Sequence, residues 1–169
     1  MTTTRMDVFE RSIQKAGRWI DDLERYMGWE NPHQTYEALG VVFHVLRDRI
    51  PVHQAVALGA QLPLLLRGLY FQNWDVSKSP EKYRHAKDFL AHVREGLIEH
   101  RLEFVPEERL VEGVVAVMAQ RISEGEYASL RRSLPAEIRR YFGEVSTSPS
   151  HHHRKRWISE ERAWDKFSS

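Results

Sequence analysis

Residues 39–71 align with residues 111–143 at a constant offset of 72, without a gap. Eight of the 33 pairs are identical: Val42/Val114, Val45/Val117, Arg49/Arg121, Ile50/Ile122, Leu58/Leu130, Leu62/Leu134, Pro63/Pro135 and Arg67/Arg139. Leu46/Met118 and Leu66/Ile138 add conservative pairs. Self-similarity at a fixed offset means that one supersecondary unit is used twice. A unit of about 70 residues buries too little apolar surface to be secure alone. The expectation is therefore two similar halves, about 6–74 and 80–143, packed as a pseudo-symmetric pair into one domain over residues 1–143.

The apolar spacing makes both halves helical. Met6, Phe9, Ile13, Ala16, Ile20, Leu23 and Met27 step by three and four residues, one seam lasting about six turns. Thr4 and Asp7 are a weak cap for this helix, and Gly28 is a plausible stop. Asn31-Pro32-His33-Gln34 opens a second helix, with Tyr36, Leu39, Phe43, Leu46 and Ile50 on its seam and Pro51 as its end. Further helices are expected over 52–61 and from Pro63 to about Asn73. Ser79-Pro80 starts a long one to about 103, with Ala86, Phe89, Leu90, Val93 and Leu97 on its inner face. Pro106 starts another, carrying Leu110, Val114, Val117, Met118 and Ile122; Ser123-Glu124-Gly125-Glu126 is a capping box for the next; Pro135 begins a last one ending near Gly143. No segment alternates with the period of two that strands require. The fold class is all-α, a bundle of about eight helices.

Composition excludes whole classes of function. Lys and Arg number 25 against 24 Asp and Glu, a net charge of +1, which does not suit a chain that coats nucleic acid with its whole surface. The absence of cysteine removes disulfide frameworks, thiolate metal sites, iron–sulfur clusters and thiol catalysis. No apolar run approaches the roughly 20 residues needed to cross a bilayer. The opening MTTTRMDVFERS lacks the apolar core of a secretory signal, so a cytoplasmic location is expected.

The stretch LRDRIPVHQAVALGAQLPLLLRGLYFQNW (46–74), together with RISEGEYASLRRSLPAEIRRYF (121–142), resembles a family of small prokaryotic proteins known only as domain of unknown function two-two-six-seven. Gln61-Leu62-Pro63, Arg67-Gly68 and Tyr70 to Trp74 carry the resemblance, which spans about residues 6–143. It implies an all-helical cytoplasmic protein and brings no catalytic residue with it.

The residues themselves suggest three kinds of chemistry. On the helix expected from 81 to 103, Glu81, His85, Asp88 and His92 form one stripe of carboxylates and imidazoles, a weak candidate for a divalent metal against the simpler reading of a solvated face. The Glu-x-x-His pairs of a helical di-iron site are missing apart from Glu30-Asn31-Pro32-His33, which proline interrupts. There is no Gly-x-Ser-x-Gly elbow, phosphate loop or dinucleotide fingerprint, and no cofactor is expected. His44 reads as a histidine at the core boundary. The second candidate is Leu64 to Trp74, unusually apolar for a short helix. Burial on both sides explains it most simply; as a surface, Arg67, Tyr70, Phe71 and Trp74 are of the types that anchor protein interfaces. In the second copy Ala136 and Glu137 replace Leu64 and Leu65, so either the first copy is more central or it faces a partner.

The third candidate is the tail. Residues 144–156 (EVSTSPSHHHRKR) read as a flexible linker ending in a short basic block whose Arg154, Lys155 and Arg156 suit phosphate or an acidic surface. In residues 157–169, Trp157, Trp164 and Phe167 share one helical face. Two tryptophans are costly to leave in water, so this amphipathic helix is expected to dock on its own bundle, on another subunit or on another protein. The leading expectation is a non-enzymatic interaction protein that binds a protein partner or itself. The alternatives are a ribonucleoprotein-associated factor using the basic tail and, last, a metal or small-ligand binder using the 81–92 stripe.

Overall fold

A computed structural model of the chain describes residues 3–143, with side chains from residue 6 onward. The proposed linker (144–156) and the terminal segment with Trp157, Trp164 and Phe167 lie outside the described residues. Within them the chain forms eight α-helices and no strand: α1 (Thr3–Met27), α2 (Pro32–Arg49), α3 (Val52–Gln61), α4 (Leu64–Phe71), α5 (Ala86–Glu99), α6 (Glu107–Arg121), α7 (Glu124–Ser133) and α8 (Ala136–Arg139). A single 3₁₀ turn, Val76–Lys78, lies between α4 and α5.

Local chemistry sets the boundaries. Asn31 Oδ1 accepts the Gln34 N–H at 3.1 Å and starts α2, and Ser123 Oγ accepts the Glu126 N–H at 3.2 Å and starts α7. Gly28 ends α1 with φ +74°, a left-handed conformation that glycine adopts without a Cβ penalty. Pro63 and Pro135 precede α4 and α8. At the 72-residue offset α3 (52–61) and α7 (124–133) have matching bounds, whereas α4 has eight residues and α8 four. The two arginines also act alike: Arg67 donates to the Leu62 carbonyl at 3.1 Å, and Arg139 to the Leu134 carbonyl at 2.9 Å.

The middle of the bundle is α2, which packs on α1, α3, α4, α5 and α6. That position explains its run of buried residues from Ala38 to Phe43, wider than one amphipathic stripe. Two glycines permit close approach. A Cβ at Gly40 would stand 2.9 Å from Leu69, and one at Gly96 would stand 2.7 Å from Val41. The inner faces expected for the α5 and α6 helices are buried, apart from the half-buried Leu90. α3 packs on α7 through polar contacts, with Gln54 donating to Glu126 and accepting from Ser129.

Four expectations need correction. The long helix begins at Ala86, not at Pro80, and stops at Glu99. Residues 80–85 are held out of it by tertiary contacts: Arg49 donates to the Tyr83 carbonyl at 2.6 Å, and the Glu81 N–H donates to the Asp48 carbonyl at 2.8 Å. The last helix is one turn, ending at Arg139. Most consequential is α1. Its seam is buried at Ala16, Leu23 and Met27 and half-buried at Ile20, yet Met6 is 61% exposed, Phe9 65% and Ile13 62%. Tyr36, placed on the α2 seam, is likewise exposed.

Candidate functional site

Two regions carry the residues singled out by sequence. The first is a small cleft of about 190 Å³ between α2 and α5, lined among others by His44, Asp48, Glu81, Tyr83, His92 and His100. His44 Nε2–H donates to the Leu69 carbonyl at 2.6 Å, and burial pushes its pKa below the ordinary histidine value. His92 Nε2 lies 3.2 Å from Glu81, its Nδ1 lies 3.8 Å from Glu95, and its ring stacks on Tyr83 with centroids 4.8 Å apart. Tyr83 also carries the Arg49 guanidinium 5.5 Å from its ring centre, and burial raises its pKa well above the phenolic range.

Of the stripe Glu81, His85, Asp88 and His92, only Glu81 and His92 meet. Glu81 precedes the helix, so its spacing to the others is not helical. His85 lies outside the cleft lining and pairs with Glu137 at 3.1 Å. The second oxygen of Glu137 accepts the Ala86 N–H at 2.9 Å, the first free donor of α5. These contacts hold the Glu137 carboxyl below the usual carboxylate range, the Ala86 N–H being the larger cause. Among the described residues, no three His, Asp or Glu side chains are placed to hold a metal ion. The cleft's titratable groups are largely engaged with one another or with backbone.

The second region is α3–α4 with the first half of α1. Here the aromatic set is engaged within the fold. Tyr70 is fully buried, donates to the Ala55 carbonyl at 2.7 Å and stands edge-on to Phe43 and Phe71. Burial lifts its pKa far above that of a free tyrosine. Arg67 donates to the carbonyls of Gly59 and Leu62, at 3.0 and 3.1 Å, closing the C-terminal end of α3. Phe71 covers Gly59, where a Cβ would collide with its ring. Trp74 stacks on Phe71 and donates to Ser79 Oγ at 2.9 Å. Arg47, almost fully buried, ties the unit to α2 by donating to the carbonyls of Tyr70 and Gln72. Of the proposed interface residues, Arg67, Tyr70, Phe71 and Trp74 thus build the α3–α4 corner. Trp157, Trp164, Phe167, Arg154, Lys155 and Arg156 lie outside the described residues.

The exposed apolar surface belongs to other residues. Leu64 and Leu65, at the start of α4, are 63% and 48% exposed. Met6, Val8, Phe9 and Ile13 extend along α1, which packs on α4. The sequence carried a signal for this in relative length. α1 has 25 residues against 15 in α6, its antiparallel neighbour. Arg109 reaches the Tyr26 carbonyl, Gly113 lies under Leu23 and Tyr26, and Arg121, the last residue of α6, donates to Asp22 at 2.7 Å, so α6 lies along the second half of α1. The first three turns of α1, about 16 Å at 1.5 Å per residue, run beyond it.

The chain belongs to the family described as uncharacterized conserved protein DUF2267, whose pattern matches residues 16–157. The match starts later than the resemblance read from the sequence and runs on through the basic block to Trp157. No curated protein matches the chain.

Proposed function

We propose that this member of the DUF2267 family is a non-enzymatic protein-interaction module whose docking face is the first three turns of α1, extended by Leu64 and Leu65. One observation carries the reading: a seam at regular three- and four-residue steps continues past the bundle, leaving Met6, Phe9 and Ile13 exposed. A contiguous apolar stripe on a projecting helix is unfavourable in water and is the usual mark of an interaction surface. Its spacing suits a second helix laid alongside. The stacked, paired groups of the α2–α5 cleft support no competing catalytic reading.

The test is a photo-crosslinking amino acid placed at Phe9 or Ile13 in cells, with Arg11 on the polar side of α1 as control. Adducts from positions 9 and 13 to a helical peptide, of this chain or another protein, at several times the Arg11 yield are the expected result. Equal yields from all three positions would remove the docking face.

A further inference from the structure

We infer that the occupant of this face is the chain's own C-terminal segment, Trp157–Phe167, laid antiparallel along Met6, Phe9, Ile13 and Ala16. The inference rests on the reading of α1 as a docking face and names what fills it.

Three observations converge. The first is spacing. The α1 seam steps 6, 9, 13, 16, and in reverse the tail places Phe167, Trp164 and Trp157 on a ladder of the same total length. Phe167 falls beside Met6, Trp164 beside Phe9, and Trp157 at Ala16, where the seam enters the bundle. Each aromatic ring offers about 150–250 Å² of surface to bury, which suits a stripe left bare on a single helix.

The second is the extent of the family match. It begins at residue 16, where the α1 seam becomes buried, and ends at Trp157. The bare half of α1 and nearly all of the Trp-bearing segment are therefore the two parts of the chain outside the family pattern. Each has apolar surface in need of a partner, and each supplies what the other lacks.

The third is reach. The described chain ends at Gly143, whose carbonyl lies 3.5 Å from the Tyr127 hydroxyl on the first turn of α7. α7 directly follows α6, and α6 ends beside the second half of α1, where Arg121 donates to Asp22. Thirteen residues, 144–156, then separate Gly143 from Trp157. Thirteen residues reach about 20 Å as a random coil and about 45 Å at full stretch, so chain length does not forbid Trp157 from approaching Ala16.

The absence of cysteine allows a direct test in the full-length protein. Spin labels on Gln14→Cys and Ser159→Cys, measured by pulsed dipolar spectroscopy, should give one narrow distance below about 35 Å, since packed helix axes lie about 10 Å apart. Dilution with unlabelled protein should leave that distance in place. Trp164→Asp, or Phe9→Asp with Ile13→Asp, should abolish it while the thermal midpoint moves little. A broad distribution that Trp164→Asp does not change overturns the inference. So does a narrow distance lost on dilution, which assigns the face to a second copy. If Phe9 still crosslinks another protein while the distance is broad, the docking face stands and only its occupant is wrong; if both readouts are negative, both readings fail.

Discussion

The two halves of α1 carry one uninterrupted seam and meet opposite environments. Leu23, in the second half, is fully buried against α6, where Gly113 lets the two helices approach. Phe9, on the same stripe in the first half, is mostly in solvent. Nothing in the side-chain chemistry distinguishes them. The difference is the reach of the neighbouring helices. An amphipathic pattern states which face wants a partner; how far the partner extends is decided by the length of other elements.

The largest expected effect tests this contrast directly. Leu23→Ala should cost about 2–5 kcal/mol, the range for a large-to-small change in a closed core. Phe9→Ala removes more apolar volume, yet should cost less than about 1 kcal/mol, as a change on a surface does. Chemical denaturation of both variants checks it. Comparable losses would mean that the first half of α1 is as integral to the bundle as the second.

Arg47 gives the next effect in size and bears on the α3–α4 corner. Its guanidinium donates to the Tyr70 carbonyl at 2.8 Å and the Gln72 carbonyl at 2.9 Å, closing the end of α4. Nε donates to Asp48 at 2.9 Å, and the group lies 5.9 Å from the Trp74 ring centre. Arg47→Ala strands those carbonyls and should cost about 2–3 kcal/mol, since a buried group left without its charged partner loses more than an average hydrogen bond. Arg47→Lys should recover only part of this, because a point charge does not span both carbonyls. If Arg47→Ala proves neutral, the corner is not held by this side chain, and its aromatic residues regain standing as a mobile surface.

How far the sequence could have led is visible in these same residues. Capping chemistry is local, so Asn31, Ser123, Pro63 and Pro135 marked helix starts that the structure keeps. The all-α class followed from periodicity for the same reason. The start of α5 was hidden, because Ser79-Pro80 has the composition of a helix start and only contacts from Arg49 and Asp48, distant in sequence, hold the next residues extended. The aromatic set was ambiguous in principle: tyrosine and tryptophan serve cores and interfaces alike, and the outcome turned on acceptors for Tyr70 and Trp74 supplied by the Ala55 carbonyl and Ser79. Leu64 and Leu65 were noted for their contrast with Ala136 and Glu137. Both leucines are exposed, whereas Glu137 caps α5, so the outer faces of α4 and α8 meet different surroundings.

A smaller effect concerns the cleft between α2 and α5. The His44 pKa is lowered, first by desolvation, so the folded state favours the neutral ring. The sign follows: the folded protein binds this proton less readily than the unfolded chain does. The contribution from His44 is therefore fully present above the ordinary histidine pKa of about 6.5 and is lost as pH falls below it. His44→Gln keeps a donor for the Leu69 carbonyl and removes the titration, so its stability should fall less steeply than wild type between about pH 7 and 5. Parallel slopes in the two proteins would place the acid sensitivity on another group.

The smallest expected effect lies where the two halves of α1 join. Gly17 is inside the helix, next to the last well-buried seam residue before the projecting turns, and a Cβ there would meet no atom within 4 Å. Gly17→Ala should therefore act on the backbone alone. It removes freedom from the unfolded chain at no steric cost, which is worth about 0.5–1 kcal/mol in a formed helix. That gain depends on residues on both sides of position 17 being helical in solution. A gain in this range, with added helical signal near 222 nm, would mean that the exposed stripe is presented on a continuous, ordered helix. A gain near zero would mean that the first turns are frayed, so that Met6, Phe9 and Ile13 no longer share a face and the docking surface loses its geometric basis. A loss of stability would mean that something occupies the space beside Gly17, at the place where Trp157 is expected to sit.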